Sequence, residues 1–89
     1  MKRIHIKISG NVQGVGFRYS IYSLALFYRI KGWVRNLDDD KVEAIFEGEE
    51  DELKKIIEFC KKGPFLAGVE DIEIKEEEHK GEDEFRILR

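Results

Sequence analysis

Between Gly10 and Arg18 the chain reads GNVQGVGFR. Three of the eight glycines in the whole sequence fall in this run, and an arginine closes it where a helical spacing of apolar residues begins. Glycine permits positive φ and leaves no Cβ in the way of an approaching ligand. Such a loop, delivered to a helix N-terminus with free N–H groups, the positive end of the helix dipole and the guanidinium of Arg18, suits a dianionic phosphoryl group. On local features alone the same stretch also reads as an ordinary strand-to-helix turn, because short glycine motifs are common.

Other phosphate-type motifs fail here. A Walker loop needs Gly-Lys followed by Ser or Thr, and Gly16 is followed by Phe17 and Arg18; the dinucleotide fingerprint would need glycine where Tyr19 stands. Iron–sulfur ligation needs several cysteines, and Cys60 is alone. It can form no internal disulfide and reads as a small buried hydrophobe. Glu76 to Glu78 with His79 come nearest to a metal-ligand cluster, but they read as a solvated acidic run, so no metal and no cofactor are expected. His5 falls on the polar side of a strand, with a solvent-facing or cross-strand role. Phe17 and Trp33 read as core or lining residues, and Asp38 to Asp40 as a solvated turn.

These residues must be positioned by a short list of elements. Ile4, Ile6 and Ile8 alternate with Arg3, His5, Lys7 and Ser9, a strand half buried through its isoleucines. Phe17, Ile21, Leu24, Ala25 and Tyr28 recur at helical spacing, which predicts a helix to about Ile30 that Gly32 stops. Trp33 to Asn36 and Val42 to Glu47 read as strands joined by a polar connection of hairpin length. Leu53, Ile56, Ile57 and Cys60 form a helical stripe with acids before it and Lys61 and Lys62 after it, as the helix dipole favours, and Gly63-Pro64 ends it. Strands at Val69 to Lys75 and Phe85 to Leu88 follow. The order predicts an α+β, ferredoxin-like βαββαβ sandwich whose antiparallel sheet is covered on one face by two helices, with an added short C-terminal strand. In that arrangement the first two strands end at the same edge, so Asn36 should lie on the same side of the molecule as the glycine loop.

The 89 residues are enough for one domain with one core, spanning residues 1–89. Apolar residues make up 42% and charged ones 39%, too hydrophobic for disorder and too charged to cross a membrane. The opening MKRIHIKISG alternates where a signal peptide would run apolar, so a cytoplasmic protein is expected. A net charge of −3 lacks the basic footprint of a general nucleic-acid binder. An RNA-recognition surface also wants aromatics on its central strands, and the first strand carries none.

VQGVGFR (Val12 to Arg18) and GWVRN (Gly32 to Asn36) resemble the two signature segments of the acylphosphatase family, and KGP (Lys62 to Pro64) is similar to a recurrent family feature. The resemblance covers the whole chain in length and element order. It departs at Asp40, where the family usually has glycine, and at Phe65, where a second proline often follows. The resemblance implies hydrolysis of small acyl phosphates to a carboxylate and inorganic phosphate, which would be both product and inhibitor. It places Arg18 and the N–H groups of Gln13, Gly14, Val15, Gly16 and Phe17 on the phosphate, and Asn36 on the attacking water. A carboxylate leaves without a proton, and phosphoryl transfer needs mainly positioning and charge balance. This accounts for signatures with no His, Asp or Glu. A monomer is expected, with no nucleic-acid or membrane partner. Related modules also occur within larger carbamoyl-transfer proteins, so a binding or accessory domain with little turnover is the alternative.

Overall fold

The computed structural model describes residues 1–89. Strand β1 (Lys2–Asn11) leads through the glycine loop into helix α1 (Phe17–Phe27), then strands β2 (Lys31–Asn36) and β3 (Val42–Gly48), helix α2 (Glu50–Lys62), and strands β4 (Gly68–Glu77) and β5 (Phe85–Ile87). The sheet order is β4-β1-β3-β2-β5. The first four strands pair antiparallel, as the sequence predicts. β5 instead runs parallel to β2, so the sheet is mixed. Both helices pack on one face, over Ile6, Ile8, Val34, Ala44 and Phe46. From α1 that core receives Phe17, Ile21 and Ala25, and from α2 Leu53, Ile56 and Cys60. Burying each of the larger side chains stabilises the fold by roughly 1.5–3 kcal/mol. Desolvation pushes the Cys60 thiol up to about 12, which leaves it protonated and unreactive at neutral pH.

The end of α1 and the role of Gly32 differ from the periodic reading. α1 ends at Phe27 rather than near Ile30, because the Ile30 N–H donates to Ala25 O (2.8 Å) and the Arg29 N–H to Leu26 O (3.3 Å). This is the Schellman pattern, with Arg29 at φ 58 in the left-handed position that glycine more often fills. Gly32 therefore stops nothing: it lies inside β2, opposite Phe46. In the β2–β3 turn Asp40 sits at φ 67, the conformation for which the family's glycine would be suited.

The sheet face away from the helices is less solvated than strand alternation suggests. Arg3 is buried there against Glu47 (3.0 Å), Glu77 (3.1 Å) and Glu82 (2.9 Å). The chain crosses this face between β4 and β5, and Glu47 receives its N–H groups at Lys80 (2.7 Å), Gly81 (3.1 Å) and Glu82 (2.7 Å). Burial raises the Glu47 carboxyl, but the N–H groups of Lys80 and Glu82 and the Arg3 guanidinium more than offset it and hold the group at about 2. The acidic run before His79 is thus partly structural, since Glu77 pairs with Arg3 and His79 lies 3.4 Å from Glu47. His5 takes the cross-strand role, 2.6 Å from Glu43, which also receives the Nε–H of Arg35 (2.7 Å).

Candidate functional site

Ile8 of β1 and Asn36 of β2 both pair with Val42 of β3, so the two strands deliver their C-terminal ends to one edge of the sheet. Antiparallel pairing of both strands to β3 makes this unavoidable. Beyond β1 the chain is held at both ends of the loop. Val12 is buried, with its N–H on Gly10 O (3.0 Å), and Phe17 is buried edge-on against Phe59 of α2, with ring centroids 5.9 Å apart. Between these anchors Gly14 and Gly16 take φ 75 and 80, where any other residue would be strained. A Cβ added at either would meet nothing within 4 Å, so the loop turns an open face outward. Gly10 serves a different end. It stands at the β1–β4 bulge, where a Cβ would fall 2.2 Å from Gly68 O.

No backbone carbonyl accepts from the N–H groups of residues 13–19. The first helical bond of α1 runs from Ser20 N–H to Gly16 O (3.0 Å), and Gly16 caps the helix with no side chain. The result is a row of free donors at the positive end of a helix dipole, the arrangement that binds anions.

Arg18 and Asn36 line one cavity of about 170 Å³, together with Val12, Gly14, Gly16, Phe17 and Tyr19. They also line, with Tyr19, Ile87 and Arg89, a broader depression of about 580 Å³. No Asp or Glu side chain lines either space, and Arg18 takes part in none of the molecule's ion pairs. The Asn36 Oδ1 is buried without a hydrogen-bond partner in the protein. A buried amide oxygen left unpaired costs free energy, and a site that keeps one suits an acceptor held for a ligand or water. A depression of about 200 Å³ at residues 80–86 differs: Glu82, Asp83 and Glu84 line it with Lys80 and Arg86, so acids outnumber cations there.

The fold thus brings Gly14, Gly16, Phe17, Arg18 and Asn36 together around one space. Gln13 and Val15 line neither cavity, and the Val15 side chain packs against the core, so these two residues offer the site their main chain. The Gln13 side chain does something the sequence reading misses. Its Nε2 donates to Leu37 O (2.8 Å) and Lys41 O (2.9 Å), tying the glycine loop to the hairpin that follows Asn36. A long amide inside a loop of glycine and valine, able to donate twice, was the available signal. Tyr19, Ile87 and Arg89 also escape a reading of motifs, since only the pairing of β5 with β2 brings the last two here.

A family model described as Acylphosphatase matches residues 4–87. A protein named acylphosphatase from Syntrophus aciditrophicus is 47% identical over 89 residues, which span 99% of this chain and 93% of that protein. The crystal structure of acylphosphatase from Bacillus subtilis is similar with a TM-score of 0.96 at 38% identity, covering 100% of both chains. Full-length HypF, in a phosphate- and nucleotide-bound form, resembles this chain with a TM-score of 0.89 at 32% identity, over 99% of this chain but 12% of HypF.

Proposed function

The chain belongs to the acylphosphatase family and is an acylphosphatase enzyme, and from that premise we propose that the loop Gln13–Arg18 holds the phosphoryl group while Asn36 holds the attacking water. The substrate of such an enzyme is a mixed anhydride. Water adds to phosphorus, the P–O bond to the acyl group breaks, and the carboxylate departs with the bonding pair. One water proton passes to a phosphoryl oxygen and the other stays on the new P–OH, so the products are a carboxylate and dihydrogen phosphate. No protein side chain has to donate or accept a proton.

The N–H groups of Gln13 to Phe17 and the Arg18 guanidinium offset the charge on the equatorial oxygens, and they need no reorganisation as the loose transition state forms. Asn36 Oδ1 accepts from the water and turns a lone pair of its oxygen toward phosphorus, in line with the leaving oxygen. Inorganic phosphate, the product, competes for the same donors. We propose that the enzyme works in the cytoplasm as a monomer; no helix of the chain is long and apolar enough to cross a membrane. A role as an accessory module is not favoured, because the relatives matched along nearly their full length are themselves named acylphosphatases.

One observation carries the assignment: Arg18 and Asn36 line the same small cavity beneath a row of unpaired N–H groups. The test is steady-state hydrolysis of benzoyl phosphate, with inhibition by inorganic phosphate, for the parent, Arg18→Gln and Asn36→Ala. Arg18→Gln should lower kcat/KM by roughly 10²-fold or more and abolish useful inhibition. Asn36→Ala should lower kcat and leave the inhibition constant within about twofold. Equal loss of phosphate affinity in both variants would refute this division of roles.

A further inference from the structure

The site has room and charge beyond what a phosphoryl group uses. In the smaller cavity only Arg18 is cationic, whereas the broader depression sharing Arg18, Tyr19 and Asn36 adds Ile87 and Arg89. Its volume of about 580 Å³ is within the range of small-molecule sites. Arg89 is placed by backbone bonding. β5 pairs with β2 up to Ile87 opposite Val34, and the Leu88 N–H donates to Val34 O (2.8 Å), so the chain runs on beside the end of β2 where Asn36 lies.

Neither Arg18 nor Arg89 pairs with a carboxylate. The chain carries 19 acidic residues against 16 Lys and Arg, yet none of the acids lines this space. Two guanidiniums without an Asp or Glu partner therefore line one depression, on a protein of net charge −3. The same lining carries the exposed ring of Tyr19 and the side chain of Ile87, which give it an apolar part.

We propose that this depression is the acyl subsite, and that it selects acyl phosphates whose acyl group has a compact apolar body and a distal carboxylate, the body resting on Tyr19 and Ile87 and the carboxylate meeting Arg89. The inference rests on the phosphate being held by the Gln13–Arg18 loop. The two cavities share Arg18, Tyr19 and Asn36, so an acyl group on that phosphate has the broader depression beside it. Arginine is the side chain best shaped to meet a carboxylate, through two parallel N–H donors. No Asp or Glu in the lining would repel the added charge.

The experiment compares benzoyl phosphate with 3- and 4-carboxybenzoyl phosphate, as ratios of kcat/KM, in the parent, Arg89→Met, Tyr19→Ala and Arg86→Met. Arg89 and Tyr19 are exposed, so these substitutions leave the core intact. The parent should prefer one carboxylated isomer by about 10-fold, the scale of one charge-assisted pair. Arg89→Met should remove that preference while inhibition by inorganic phosphate stays within twofold. Tyr19→Ala should raise KM for all three aryl substrates. Arg86 belongs to the lining of the separate depression at residues 80–86, and Arg86→Met, which removes the same charge, should keep the preference. A parent with no preference for either isomer overturns the proposal. So does Arg89→Met weakening phosphate inhibition as much as the preference, which would make Arg89 a phosphate ligand, and so does an equal effect of Arg86→Met, which would reduce the preference to long-range attraction. A parent that leaves benzoyl phosphate intact removes the underlying assignment and this inference with it.

Discussion

Gln13→Met tests whether the link between the two halves of the site matters to chemistry or only to folding. The side-chain amide spans from the phosphate loop to Leu37 O at 2.8 Å and Lys41 O at 2.9 Å, and methionine keeps most of its volume while donating to neither. Lys41 O still accepts from the Leu37 N–H (2.8 Å), so the hairpin closure survives and Leu37 O is left short of a partner. At a net 0.5–1.5 kcal/mol for each of the two bonds, the stability loss should be about 1–3 kcal/mol. The backbone N–H of Gln13 stays in place, so phosphate inhibition should change little. Asn36, one residue before Leu37, loses its fixed distance from the loop, and because misplacements near 1 Å can cost 10²-fold, kcat should fall by roughly 10-fold. Thermal melts give the stability, and kcat, KM and the phosphate inhibition constant are read at 25 °C, where the variant stays folded. Gln13→Glu adds a rescue: its carboxylate opposes two carbonyl oxygens near neutrality but donates once when protonated, so its kcat relative to the parent should rise as pH falls toward 5. A destabilised Gln13→Met with parental kcat, and a Gln13→Glu with no such rise, would show that the link serves folding alone.

Asp40→Gly should raise stability by about 0.5–1 kcal/mol with little change in kcat, since φ 67 strains a side chain more than the glycine's unfolded entropy costs; a lower denaturant midpoint would mean that Asp40 braces the turn itself. Glu47 is held at about 2 against an ordinary 4.5, so its contribution of about 3 kcal/mol is complete above the ordinary carboxylate range and is lost as pH falls from there through 2. The stability gap between parent and Glu47→Gln should therefore close between pH 5 and 2, and a gap that stays constant refutes the argument. With no acid–base pair among the lining residues, kcat from pH 5 to 8 should lack any limb that vanishes in His5→Gln or His79→Gln; loss of a limb in either variant would expose a titrating side chain in the reaction.

Local pattern carried the sequence reading as far as the outcome was local. The alternation of Ile4, Ile6 and Ile8 and the stripe Leu53, Ile56, Cys60 place residues on faces whatever the rest of the chain does, and both survive in the fold. Asn36 was placed beside the glycine loop by topology, since two strands that pair antiparallel with a third must end at the same edge. The end of α1 was not legible, because Tyr28 and Ile30 continue an apolar pattern while the turn is made by Arg29 in a conformation that propensity reserves for glycine. Arg3 was read as outward from its parity, correctly for the face. Its burial depends on Glu47, Glu77 and Glu82, separated from it by 44, 74 and 79 positions along the chain. No periodicity reports a contact of that range.

The buried charges of the rear face and the open site at the sheet edge are connected through β5. Strand β5 lies beyond β2, at the opposite edge from β4, so the chain between them must cross the sheet. A connection that runs over a sheet face hides backbone N–H groups, and these need acceptors. Glu47 supplies them, and Arg3 balances the charge so introduced, which would otherwise be prohibitive to bury. After the crossing, Gly32 N–H on Glu84 O (2.9 Å) and Leu88 N–H on Val34 O (2.8 Å) fix β5 along β2, with Phe85 beneath Tyr22 of α1 at 6.3 Å between rings. Only this route carries Ile87 and Arg89 to the end of β2. An antiparallel partner at that edge would run the other way and leave its final residues at the opposite end of the sheet. The parallel strand is therefore what extends the site beyond the phosphate loop, and the Arg3–Glu47 cluster, which touches no part of the site, is the structural condition for it.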